Sequence, residues 1–170
     1  MPRLQRLVLA IDRVTDFSGR CLAWLAGAMA LLTSAVVLLR YGFGVGSIAA
    51  QEAVTYLHAT LFMLGAAYAL KTGAHVRVDI FYRRFGHRTR AWIDSLGGIL
   101  FLLPLCAVIA FGSVDFVAQA WSIREDSADA GGIRGVFLLK SLLPLMAFTL
   151  GLQGVAEILR NALVLCGHDA

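Results

Sequence analysis

An apolar run begins just after Glu52, continues to about Leu70 and stops at a loop that carries Lys71, His75, Arg77, Arg83, Arg84, His87, Arg88 and Arg90. At about 1.5 Å of rise per residue, a run of roughly 18–20 residues matches the ~30 Å hydrocarbon core of a bilayer. A dense cationic loop at one end of a spanning helix places that end on the cytoplasmic side. The run is therefore read as a membrane helix with a direction, and the other segments take their orientation from it.

The rest of the chain agrees with lipid as its solvent. Hydrophobic residues make up 59% of the 170 and charged residues 15%, with a mean hydropathy of +0.75. A water-soluble domain of this size has too little interior to hide that much apolar surface. The net charge of +4 comes from loops of the kind that mark a cytoplasmic face, so no nucleic-acid partner is expected. Cys21, Cys106 and Cys166 are isolated, odd in number and set among apolar residues; neither a disulfide framework nor a metal spacing follows from them. Arg3, Arg6, Arg13 and Arg20 interrupt the first stretch, so no signal peptide is expected there.

The chain then reads in order. Leu4, Leu7, Val8, Ile11, Val14 and Phe17 recur at helical spacing between Arg3, Arg6, Asp12, Arg13 and Asp16. That pattern predicts an amphipathic helix over 3–18, lying in the membrane interface, or else docked on a partner or solvated. A first span over 21–39 carries small residues at Ala23, Gly27, Ala30 and Ser34, which allow close helix approach. A second span over 53–70 has Gly65 and Ala69 in the same role and Glu52 at its dipole-positive start. Val78, Phe81, Tyr82 and Phe85 predict a short interfacial helix over 77–86. A third span over 93–118 lies between Trp92 and Trp121 and contains Pro104, which predicts a kink. A fourth span over 136–164 has Lys140 near its outer end and Glu157 and Arg160 spaced to pair near its inner end.

Charge counting tests this topology. Arg3, Arg6, Arg13, Arg20, Lys71, Arg77, Arg83, Arg84, Arg88, Arg90 and Arg160 fall inside; Arg40, Arg124, Arg134 and Lys140 fall outside. Eleven against four accounts for all 15 basic residues and predicts one all-α membrane domain of four crossings, both termini cytoplasmic.

The spans are nearly bare of ionisable groups, which argues against a channel or pump working alone. His58 is the only histidine inside one; it suits a hydrogen-bonded helix contact better than a proton relay, and a bis-histidine haem would need a second, facing histidine. No Walker loop, HExxH or GxSxG occurs, so neither catalysis nor a cofactor is expected. Four bare rods with small-residue seams suit a subunit that packs against something larger.

Particular residues name a family. Gln51-Glu52, Leu57-His58-Ala59, Phe62, Leu64 to Tyr68, and His75 to Tyr82 are followed later by Gly131-Gly132, Leu139-Lys140-Ser141, Pro144 and Leu152-Gln153-Gly154. Over most of its length the sequence resembles the small membrane (DctQ-type, or Q) subunit of the tripartite ATP-independent periplasmic (TRAP) transporters. Thr55-Tyr56 departs from a pair that carries Trp in close relatives. The resemblance implies a bacterial inner-membrane protein that braces a large (M-type), elevator-type permease, with a periplasmic solute-binding receptor delivering a small organic acid, commonly a carboxylate, for sodium-driven uptake. The residues expected to anchor the subunit or meet its partners are Glu52, His58, Gly65, His75, Arg77, Asp79, Arg83, Arg84, Lys140 and Gln153. Asp79 pairs with Arg77 or Arg83, or caps a helix, on this reading. Glu52, Arg124, Glu125, Asp126 and Asp129 either contact the receptor or large subunit or form a solvated loop. A membrane scaffold of another complex, with no transport role, is the alternative; a haem or quinone redox subunit would show a Soret band.

Overall fold

The computed structural model describes residues 2–75, 82 and 84–166, and among these every regular element is a helix. Four helical stretches are long and apolar enough to cross a membrane: Leu4–Phe43, Ile48–Lys71, His87–Ser122 and Val136–Leu165. The expected interfacial helix over 77–86 falls mostly outside the described residues.

Helix α1 runs unbroken from Pro2 to Phe43, 42 residues. The amphipathic stretch and the first span are thus one rod of about 63 Å at 1.5 Å per residue. Gly19 and Arg20, left between the two expected segments, are helical, so the glycine does not serve as a break. Gly19 is needed for another reason: a Cβ there would overlap the Tyr68 ring on α2. The buried stripe of α1 is Val8, Ile11, Thr15, Gly19 and Leu22, at the i, i+3, i+4 spacing of a packed face. Leu7, Val14 and Phe17 point outward instead.

Helix α2 spans Ile48–Lys71, and the Ser47 hydroxyl accepts from Ala50 N–H as its N-cap. It stops where Gly73 takes φ +65° and Ala74 N–H returns to the Ala69 carbonyl at 2.9 Å, a left-handed C-terminal closure that glycine adopts without strain. Together α1, α2 and the last helix, α6 (Val136–Leu165), pack against one another.

The third span is segmented into α3 (His87–Gly97), a π turn (Gly98–Leu102), α4 (Leu103–Gly112) and α5 (Val114–Ser122). The expected disturbance at Pro104 appears as this wide turn immediately before it. Proline has no N–H to give the carbonyl four residues back and crowds it; the turn widens so that Leu103 N–H reaches Gly98 O. This span packs on α6. Its seam uses Gly98, where a Cβ would come within 2.9 Å of Ile158, and Gly154, where one would meet Leu102 Cδ2 at 2.7 Å. Gly27 and Gly65, expected to form such seams, have open space where a Cβ would stand.

Candidate functional site

Two polar clamps, one at each end of the bundle, engage much of the ionic chemistry of the chain. The first joins α1, α2 and α6 at the Lys71 end. Gln153 is fully buried at 0% exposure. Its carbonyl accepts from Thr15 Oγ1 at 2.7 Å, and its amide donates to Asp12 Oδ1 at 3.2 Å and Glu157 Oε1 at 3.1 Å. Arg160 closes the ring. One guanidinium nitrogen donates to both Glu157 oxygens at 2.6 Å and the other to Asp12 Oδ2 at 2.7 Å. Beside it, Lys71 Nζ pairs with Asp16 and also donates to the Asp12 carbonyl. Two partly exposed acids and one guanidinium therefore satisfy one another around the fully buried amide, and a polar network with its members paired adds order rather than strain.

The second clamp lies at the Glu52 end. Glu52 accepts from the Ser127 hydroxyl and, at 2.6 Å, from Ile133 N–H, so both carboxylate oxygens hold the loop between α5 and α6 onto α2. Gly132 fits because a side chain there would overlap Ser127 and the Glu52 carboxylate. Lys140 reaches out of α6 to Glu125 in the same loop, its ammonium 4.0 Å from the centre of the Phe116 ring. Trp121 Nε1 donates to Ser141 Oγ at 2.8 Å and meets Phe137 edge-on. This tryptophan thus ties the third span to the fourth as well as sitting near the end of its helix.

The residues singled out from sequence divide accordingly. Glu52, Lys140 and Gln153 are occupied inside the chain. His58 stands on the outer face of α2, exposed, its ring stacked on Phe62 at 6.5 Å between centroids. Gly65 lies one helical turn beyond Phe62. His75 and Arg84 are exposed; Arg77, Asp79 and Arg83 lie outside the described residues. In the basic segment, Tyr82 donates to Asp94 Oδ2 at 2.6 Å, Arg90 lies over the Tyr82 ring, and Arg88 donates to the Leu165 carbonyl at the end of α6, where a cation meets the negative end of a helix dipole. The pairing of Glu157 with Arg160 was expected; the roles of Asp12, Thr15, Asp16 and Ser127 were not. The available signal was polar residues placed on the buried stripe of α1, which the amphipathic pattern alone assigns to solvent.

A cleft of about 440 Å³ opens at the Lys71 end, with Tyr82, Asp94, Glu157 and Asn161 among its lining. Among the described residues no cluster of His, Cys, Asp or Glu is arranged to hold a metal ion. Most of the outward surface is large and apolar: Trp24, Leu31, Phe101, Val108, Phe111 and Phe148 all face away from the bundle.

That pattern, with polar groups paired at both ends and mainly apolar side chains facing out between them, suits a helix bundle with lipid as its solvent. The family described as tripartite ATP-independent periplasmic transporters, DctQ component, matches residues 29–163. The chain belongs to this family. It is also 27% identical over 120 residues, 68% of its own length, to the C4-dicarboxylate TRAP transporter small permease protein DctQ of Vibrio cholerae. The match spans 50% of that relative. No solved structure matches the chain. Both clamps lie largely within the DctQ-matched region, except that Asp12, Thr15 and Asp16 precede it. As a DctQ-type component, the chain is a small subunit of a TRAP transporter with four helices able to span a membrane.

Proposed function

We propose that this small subunit is a non-catalytic buttress in the bacterial inner membrane. It would brace a large, elevator-type permease that imports small organic acids, carboxylates among them, by sodium-driven and receptor-dependent uptake. The observation that carries the reading is the division of its surface. The ionisable groups of both clamps are paired inside the chain, whereas the spans present apolar side chains outward. A substrate path would need polar groups turned toward a conduit; a brace needs stiffness and greasy contact area. The C4-dicarboxylate named for the Vibrio relative supports carboxylates as the substrate class.

In this reading both termini are cytoplasmic, and the cationic segment with His75, Arg77, Asp79, Arg83 and Arg84 holds the subunit at the inner surface. The loop held by Glu52 and Lys140 faces the periplasm, where the solute-loaded receptor docks. The test is reconstitution in proteoliposomes with the large permease, the receptor, a sodium gradient and a labelled C4-dicarboxylate. Uptake should fall to background when this chain is omitted. Uptake that continues at full rate without it would remove the proposal and leave a scaffold with no role in transport.

A further inference from the structure

We propose that the outward face of α2, centred on His58 and Phe62, is the surface that seats the large permease, whose facing helix supplies a hydrogen-bond partner to the His58 imidazole. The inference rests on the brace reading and adds to it the face and the chemistry of contact.

The argument begins with how this chain treats polar groups in its spans. Thr33, Ser34, Thr60 and Thr149 each donate to a carbonyl one turn back, at 2.7–3.0 Å, so their hydroxyls are satisfied within their own helices. An imidazole cannot fold back in that way. His58 has a ring contact with Phe62 and, among the described residues, no hydrogen bond from its side chain. It is exposed near the middle of a spanning helix, ten residues from Ile48 and thirteen from Lys71, about 15 and 20 Å at 1.5 Å per residue. Glu52 is itself held by the outer loop, so His58 lies well inside the hydrocarbon, and its side chain lacks the long stem with which Lys or Arg reaches the interface.

Lipid tails offer no acceptor or donor, and a polar group left in them is costly. Asp115, also exposed, lies seven residues, about 10 Å, from the end of its span at Ser122, nearer the headgroups than His58. The occupant of the His58 face is therefore a protein helix. Its chemistry is an apolar transmembrane surface that carries a hydroxyl, amide, carboxylate or freed carbonyl opposite His58 and a recess for Phe62, which is 74% exposed. Gly65, with open space around it, lets that helix approach the α2 backbone one turn further in.

The experiment co-expresses this chain with its tagged large permease and places a photo-crosslinking phenylalanine analogue at position 62 or, as a control on the distant third span, at position 111. Position 62 should capture the large permease at about ten times the yield of position 111. In parallel, His58→Leu should lower the amount of large permease recovered with this subunit by about threefold to tenfold, the range of an interhelical hydrogen bond in a membrane. His58→Gln should recover most of it, and the isolated His58→Leu subunit should unfold at the same temperature or higher. The face is wrong if the two proteins co-purify but position 62 yields only lipid adducts, only a second copy of this chain, or no more adduct than position 111. Undiminished recovery with His58→Leu would equally overturn it. If the large permease does not co-purify with the unmodified chain, the brace reading itself fails.

Discussion

Thr15 and Gln153 stand 138 positions apart and share a 2.7 Å hydrogen bond that fastens the first helix to the last. Around it, Asp12, Glu157 and Arg160 complete a ring in which each charge has a partner. The ring decides how the subunit keeps its shape. Helices in lipid gain little from apolar contact, since tails are as greasy as leucine, so packing detail and polar bonds must hold them.

Replacing Gln153 with Leu keeps the volume and removes three hydrogen bonds. Thr15 and Asp12 then lose a partner in a buried site. At about 1 kcal/mol per bond, with more for a stranded charge, the loss should be about 2–4 kcal/mol. Thermal unfolding of the detergent-solubilised subunit, followed by size-exclusion chromatography, measures it; a midpoint equal to the unmodified chain would show the ring to be ornamental.

Arg160 and Asp12 should be energetically coupled. Arg160→Gln takes the cation from both Asp12 and Glu157, Asp12→Asn leaves Arg160 with Glu157 alone, and the double variant removes the Arg160–Asp12 pair. A double-mutant cycle should give a coupling of about 0.5–3 kcal/mol. Additive effects would mean that each residue acts through something other than this pair.

How far the sequence discloses these features depends on their range. Spans are legible because a bilayer demands about 20 apolar residues in one run; the second, expected over 53–70, and the fourth, expected over 136–164, lie within helices Ile48–Lys71 and Val136–Leu165. The Glu157–Arg160 pair is legible because it is local to one helix. The ring is not, because Asp12 and Thr15 look like the polar face of a surface helix until α6 is laid beside them. Gly19 likewise has a role of long range. Read locally it weakens a helix; in three dimensions it admits the Tyr68 ring and the helix continues. The backbone N–H of Ile133, half of the grip on Glu52, carries no residue-type signal at all.

Glu52→Ala should release the loop between α5 and α6. Ile133 N–H and the Ser127 hydroxyl both lose their acceptor, so local opening of the loop should make amide exchange there roughly tenfold faster. Hydrogen–deuterium exchange over residues 126–135 should show that acceleration with α6 unaffected. Exchange at the original rate would mean that the loop is held by its own turns.

Lys140→Glu should loosen the same loop by setting two acids against each other, and adding Glu125→Lys should restore it. The pair is partly buried, its side chains 19% and 31% exposed, so the swing is expected at about 1 kcal/mol. Protease cleavage within 122–135 reports it: faster in the single variant, near the original rate in the double. Equal cleavage of all three proteins would count the ion pair as incidental.

Gly19→Ala and Gly65→Ala provide the sharpest contrast, because the two substitutions are chemically identical and both positions are helical. Alanine favours a helix over glycine by up to about 1 kcal/mol, so on propensity alone both should stabilise. At Gly65 the new methyl meets open space, and the isolated subunit should unfold at an unchanged or higher temperature. At Gly19 it meets the ring carbons of Tyr68, a flat body that cannot yield at one atom without turning as a whole. Overpacking of this kind costs about 1–3 kcal/mol, enough to reverse the sign. Gly19→Ala should therefore lower the unfolding midpoint, and adding Tyr68→Ala should cancel much of the penalty specific to Gly19. If Gly19→Ala proves as harmless as Gly65→Ala, α1 and α2 are not in contact at this level, and the continuous 42-residue helix loses one of its main points of support.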